Sequence, residues 1–237
     1  MSQQVLPQAE NANENTPTPK WPLIGLISVL LLGTGTILFF IFAALFPAAE
    51  PDPYAGLSQP ALAENGIGAI SPPREVMDFT LTSHTGEPFT LSSLRGKAVV
   101  LYFGYTHCPD VCPLTLSELA RAREQLGEQA SDVQFLFITV DPERDTIEWM
   151  QKYLETRRAD DFTTGLRGTE GDLKRIGADY GLFFEKNTET STQAAYLVDH
   201  TASSFLIDPQ GRLSAIMAFR TSPDVIANAI QAVLDET

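Results

Sequence analysis

The chain has 237 residues, enough for one ordinary domain with extensions, and a hydrophobic share of 43% can supply a sizeable core. Its net charge of −14 argues against a nucleic-acid partner, whose phosphates it would repel. Two cysteines are too few for a disulfide scaffold and too few for an all-cysteine zinc site.

Residues 1–22 are polar up to Lys20, rich in Asn, Gln and Pro, without a hydrophobic period, and read as a disordered cytoplasmic tail. Leu23 to Phe46 is uncharged and built of Leu, Ile, Phe, Val and Ala. As a helix it reaches about 36 Å, enough to cross a hydrocarbon core with tilt. It is too long and starts too late for the apolar region of a cleaved signal peptide, so residues 23–46 are expected to be an uncleaved transmembrane anchor. Lys20 is the one basic residue near this run, and no other follows until Arg74, which leaves the N-terminus in the cytoplasm and exports the rest. With no Arg-rich amphipathic presequence, the expected location is a bacterial inner membrane, single-pass, with the C-terminal domain in the periplasm. Residues 47–75, rich in Pro and Ala, read as a semi-stiff tether.

The ordered domain is expected over 76–237. Phe79-Thr-Leu-Thr and Phe89-Thr-Leu, joined through His84-Thr-Gly-Glu-Pro, predict a hairpin. Ala98 to Phe103 is apolar on both faces, as in a buried central strand. Leu114, Leu116, Leu119, Ala122 and Leu126 predict an amphipathic helix stopping at Gly127. A second buried strand follows over Val133 to Val140, then helices over Thr146 to Thr156 and Thr169 to Tyr180, the latter opened by a Thr169-x-x-Asp172 capping signal. Gly181 to Phe184 reads as a short strand and Asn187 to Gln193 as a polar loop. Ala202 to Ile207 and Leu213 to Phe219 form a hairpin around Asp208-Pro-Gln-Gly211. Ser222-Pro223 opens a last helix, running to Leu234. This order is α/β, with a mixed sheet flanked by helices, as in a thioredoxin-like fold.

Both cysteines lie in Phe103-Gly-Tyr-Thr-His107-Cys108-Pro-Asp-Val-Cys112-Pro113, where a strand hands over to a helix N-terminus. Backbone N–H groups and the helix dipole there favour thiolate over thiol. The spacing Cys-x-x-x-Cys is one residue wider than the common redox spacing, and a helix starting near Val111 turns both sulfurs to one side. Three uses remain open: a soft-metal site, a redox dithiol with Cys108 attacking and Cys112 resolving, and a plain disulfide. A peroxidatic thiol is disfavoured, since Thr106 stands two residues before Cys108 rather than three.

Two thiolates and one imidazole suit Cu(I), and Cu(II) with an added ligand. Of the three histidines, His84 reads as a solvated turn residue. His107 is too close to Cys108 along the chain for easy joint ligation and reads as a supporting or surface residue. His200 precedes the strand from Ala202, whose approach loop faces the cysteine loop in a thioredoxin-like sheet, and is the expected nitrogen ligand. The absence of proline between Asn187 and Ile207 speaks against a thioredoxin-type oxidoreductase, which carries a cis-proline in that loop.

The segments Phe103 to Pro113, Asp141-Pro-Glu-Arg-Asp-Thr146 and Val198-Asp-His-Thr201 together resemble the Sco/SenC copper proteins, over about Val76 to Leu234. The resemblance implies a thioredoxin-like domain that binds copper through Cys108, Cys112 and His200. It also implies assistance in assembling the dinuclear copper centre of cytochrome c oxidase, by copper delivery or by reduction of the oxidase cysteines. The implied partners are the copper-bearing oxidase subunit and another periplasmic copper chaperone or thiol reductant. Asp141 to Thr146 is expected on the same rim, either as a ligand source or capping the next helix and pairing Arg144 with an acid.

Overall fold

The computed structural model describes residues 64–189 and 195–236. The expected tail (1–22), anchor (23–46), most of the tether and residues 190–193 of the expected Asn187 to Gln193 loop fall outside these residues. Among the described residues, no helix is long and apolar enough to cross a membrane.

The strands are β1 (Ile67–Glu75), β2 (Thr80–Ser83), β3 (Pro88–Thr90), β4 (Ala98–Gly104), β5 (Val133–Thr139), β6 (Thr163–Arg167), β7 (Phe184–Asn187), β8 (Leu197–His200), β9 (Ser204–Ile207) and β10 (Arg212–Met217). The helices are α1 (Val111–Leu126), α2 (Ile147–Thr156), α3 (Glu170–Gly177) and α4 (Pro223–Asp235). Eight strands form one mixed sheet in the order β1-β10-β9-β4-β5-β6-β2-β3. β4, β5 and β6 run parallel, as strand–helix–strand crossovers require, and the outer pairings are antiparallel. β7 and β8 make a separate two-stranded sheet.

β4 is buried at every position because its two faces serve two cores. Ala98, Val100 and Tyr102 meet Leu116, Leu119 and Ala122 of α1, Met150 and Leu154 of α2, and Ile226 and Ile230 of α4. Val99, Leu101 and Phe103 belong to the opposite core, with Leu173 and Ile176 of α3, Val198 and both cysteines. A period of two pointing into apolar surroundings on each side is what an unbroken apolar run records.

The capping signals hold where a side chain can reach. Thr146 accepts from the Trp149 N–H, and Thr169 with Asp172 forms a reciprocal capping box. Ser222 stands before Pro223 at the start of α4, but its side chain makes no capping bond.

Four expectations need correction. The tether does not extend to residue 75, because Ile67–Glu75 is an edge strand paired antiparallel with β10; its Pro72 and Pro73 coincide with an irregularity in that ladder and hid the pattern. β6 was not foreseen, since Thr163-Thr-Gly carries little apolar signal and the strand exists through its partners β5 and β2. The short strand expected over Gly181 to Phe184 falls instead at Phe184–Asn187, paired with β8. His84 is not a solvated turn residue: it is buried, its Nδ1 accepts the Gly165 N–H at 3.1 Å, and its backbone N–H donates to the Gly165 carbonyl.

Burial holds the His84 imidazole below its ordinary 6.5, only partly opposed by Asp160 and Glu155. Above pH 6.5 the ring is neutral in both folded and unfolded chains and stability is flat. As pH falls below 6.5 the unfolded chain takes the proton first, so stability drops until the folded imidazole also protonates. Urea midpoints at about pH 7.5 and about pH 5.5 should therefore differ less in His84→Leu than in wild type. At the higher pH that variant should be weaker by about 1–3 kcal/mol, because the Gly165 N–H loses its acceptor.

Candidate metal centre

The centre begins where β4 ends. A Cβ at Gly104 would stand 2.9 Å from the Cys112 sulfur and 2.9 Å from Cε2 of Phe137, so only glycine lets the sulfur pack against the strand end. After this close approach the chain turns through Tyr105 to Asp110, with the Cys108 N–H donating to the Tyr105 carbonyl at 3.2 Å, and α1 starts at Val111. The Cys112 N–H, in the first turn of α1, points at the Cys108 sulfur at 3.4 Å. The two sulfurs are not joined in a disulfide; Cys108 is 9% and Cys112 1% exposed.

The two thiols differ sharply. Cys108 is driven well below the ordinary thiol range, first because Cys112 donates a hydrogen bond to it and then by the backbone N–H groups of Cys112 and Asp110, against the opposing effect of burial. Cys112 is pushed up by holding that shared proton and by its burial. The two shifts run in opposite directions and favour negative charge on Cys108 over Cys112.

His200 arrives from the far side of the sequence. It ends β8, paired opposite Phe184, rather than sitting in a loop before a strand as expected. Its Nδ1 lies 2.9 Å from the Thr201 carbonyl, which can only accept, so Nδ1 carries the proton. Nε2 keeps its lone pair and lies 3.6 Å from the Cys112 sulfur. The Tyr105 ring meets the imidazole edge-to-face at 5.9 Å. Of the residues expected as ligands, Cys112 thus meets His200 directly, and the Cys108 sulfur stands against the Cys112 N–H. Two sulfurs and one available imidazole nitrogen form a donor set suited to a soft cation of low coordination number.

The hairpin of β7 and β8 is held down by the segment after β5. Tyr196 donates its hydroxyl to Asp141 at 2.8 Å. Arg144 donates to the other Asp141 oxygen and to the Tyr196 carbonyl, with its guanidinium 3.6 Å from the centre of the Tyr196 ring. Lys186 pairs with Glu143 at 2.6 Å. Of the two roles expected for this segment, capping and ion pairing describe what its side chains do. Donor atoms of His107, Asp141 and Asp145 do lie within 4.8 Å of one another. Both carboxylates are already occupied by hydrogen-bond donors, which argues against a second cation there. His107 is exposed and stacks on Trp149 at 5.7 Å, away from joint ligation with its neighbour.

Sequence reasoning missed Gly104, Tyr105, Tyr196 and Asp145. Gly104 had a signal, a glycine closing a strand that is otherwise wholly apolar; the two tyrosines had none.

A model of the family described as SCO1/SenC matches residues 68–235. Among curated proteins, the chain is similar to mitochondrial protein SCO2 of Saccharomyces cerevisiae, with 38% identity over 138 residues, covering 56% of this chain and 44% of that protein. It is also similar to a protein of Stutzerimonas stutzeri described as a candidate copper-binding protein, with 32% identity over 203 residues, covering 84% of this chain and 94% of that one. The chain spans 44% of the yeast relative's length and 58% of the bovine and human ones. Among solved structures, Bradyrhizobium japonicum ScoI with copper bound is similar with TM-score 0.59 and 34% identity, covering 67% of this chain and 99% of that one. Yeast Sco1 with copper bound gives TM-score 0.60 and 30% identity, covering 70% and 91%.

Two measurements check the geometry. Gly104→Ala should lower stability by about 1–3 kcal/mol in a thermal melt, since the added carbon overlaps a sulfur and a ring at once. Iodoacetamide should modify Cys108 before Cys112 across mildly acidic to neutral pH, read by peptide mass. Equal labelling of both would contradict the asymmetry described.

Proposed function

The chain belongs to the SCO1/SenC family, and on that footing we propose that it is a membrane-anchored copper-binding chaperone assisting assembly of the dinuclear copper centre of cytochrome c oxidase. The observation that carries the reading is the meeting of the Cys112 sulfur with the lone pair of His200 Nε2 at 3.6 Å across 88 residues of sequence, with the Cys108 sulfur beside them. Copper is the cargo. Cu(I) prefers thiolate, tolerates three donors, and can leave by exchange onto a partner's thiolates and imidazoles one ligand at a time. Loading displaces the proton that the two sulfurs share, so uptake competes with protons. The copper-bound relatives support copper as the ion, and the family supports the oxidase copper-bearing subunit as the recipient. The uncharged run Leu23 to Phe46 supports a single anchor with the domain outside the cytoplasm.

The asymmetry of the thiols supports a second activity on the same residues. The Cys108 thiolate attacks a partner disulfide sulfur and releases one partner thiolate. Cys112, giving up its proton, then attacks Cys108 and releases the other. Two electrons pass to the partner, whose dithiol is now fit to receive copper, and Cys108 and Cys112 end as a disulfide. A copper site and a dithiol reductant exclude each other at any one moment, since each needs both sulfurs.

Metal analysis of the full chain in detergent, after copper loading and removal of excess, tests the reading. It should retain about one copper per chain, and Cys108→Ser, Cys112→Ser and His200→Ala should retain far less, as expected when one of three ligands is removed. His200→Ala should keep most of its reductase activity toward a protein disulfide. If His200→Ala holds copper as wild type does, the imidazole is not a ligand and the chaperone reading is wrong.

A further inference from the structure

Asp145 lies just before α2, with its side chain wholly buried at 0% exposure. Its carboxylate is gripped from several sides. The Thr106 N–H donates to Oδ2 at 2.9 Å, the Thr106 hydroxyl to Oδ1 at 2.6 Å and the Thr139 hydroxyl to Oδ2 at 2.5 Å. His107 Nδ1 lies 3.3 Å from Oδ1 and 3.0 Å from the Thr106 hydroxyl oxygen. Because that hydroxyl donates its proton to Asp145, it can only accept from the ring, and so can the carboxylate. His107 Nδ1 therefore carries the hydrogen and donates into the pair.

Three of these donors belong to Thr106 and His107, the two residues immediately before Cys108. The remaining one, Thr139, ends β5 and is in register with Gly104, the last residue of β4. On its other side Asp145 is fixed by Arg167 of β6, whose Nε donates to the Asp145 carbonyl at 3.0 Å and whose Nη2 donates to the Pro142 carbonyl at 2.8 Å. The cysteine turn lies outside the sheet ladder; the Cys108 N–H bonds the Tyr105 carbonyl, and the Asp110 carbonyl accepts from Leu114 of α1. On the Cys108 side of the turn, the bonds from Thr106 and His107 converge on one buried carboxylate.

We propose that Asp145 is the positioning residue that sets where the Cys108 sulfur stands against Cys112 and His200. It touches neither sulfur nor cargo. It acts through Thr106 and His107, as buried partners of ligand loops commonly act on the groups they orient. Trp149, stacked on the His107 ring, closes the outer side of the same clamp. Cys112 needs no such device, being carried by α1 and packed against Gly104.

The test uses the full chain in detergent, with Thr106→Val (same shape, no hydroxyl), Thr106→Ser (hydroxyl kept), His107→Asn (an amide N–H in place of the Nδ1 hydrogen) and Asp145→Asn. Three quantities are read: the iodoacetamide rate at Cys108 in the copper-free reduced chain, copper retention against a competing chelator, and the thermal midpoint. Thr106→Val and Asp145→Asn should speed Cys108 labelling several-fold and weaken copper retention by about tenfold. Thr106→Ser and His107→Asn should match wild type in both. If Thr106→Val lowers the thermal midpoint yet leaves labelling and retention at wild-type values, the network is merely structural and the proposal falls. If Asp145→Asn does not fold, the two Thr106 variants still decide. The retention arm rests on the copper reading above, and the labelling arm does not. A wild-type chain that held no copper would overturn that reading and leave labelling to judge this one.

Discussion

The packing of one sulfur against the end of one strand governs the centre. β4 is buried on both faces, so it cannot shift without breaking two cores at once, and it ends at a residue with no side chain. The Cys112 sulfur occupies the space a Cβ would take. That contact fixes the first turn of α1, and with it the N–H that points at Cys108. It also strips water from the deeper sulfur. A negative charge on that sulfur is costly, which pushes the Cys112 thiol up while Cys108 is held down.

How much of this the chain spells out depends on how local each cause is. Ala98 to Phe103 is legible because both cores write themselves into one apolar run. Thr169 and Asp172 are legible because a capping box is a contact between neighbours. The cysteine pair was legible through its spacing at a strand–helix junction, and His200 through fold order and the resemblance to a known family. β6 was not, because Thr163-Thr-Gly becomes a strand only between β5 and β2. His84 was misjudged for the same reason: its turn residues look solvated, while its ring is buried against Gly165, eighty-one residues away. The latch of Tyr196 on Asp141 spans fifty-five residues and has no local pattern at all. Long-range polar contacts leave their mark on residue identity, and without their partners in view that mark reads as ordinary surface.

The two halves of the donor set have different mechanical origins, and the segment Asp141 to Asp145 joins them. The sulfurs stand on the main sheet through Gly104 and α1. The imidazole stands on a separate two-stranded sheet, a kind of element that is marginal by itself. Asp141, with Arg144, takes hold of that hairpin through Tyr196, and Glu143 adds Lys186. Four residues on, Asp145 takes hold of the cysteine turn through Thr106 and His107. Both carboxylates are buried in a chain already rich in negative charge, which is unfavourable unless every oxygen is met by a donor, as here. Both grips leave from one short segment, which Arg167 braces through the carbonyls of Pro142 and Asp145. The three side chains proposed as ligands, at positions 108, 112 and 200, can then act as one site, although the sulfurs are held on one sheet and the imidazole on another.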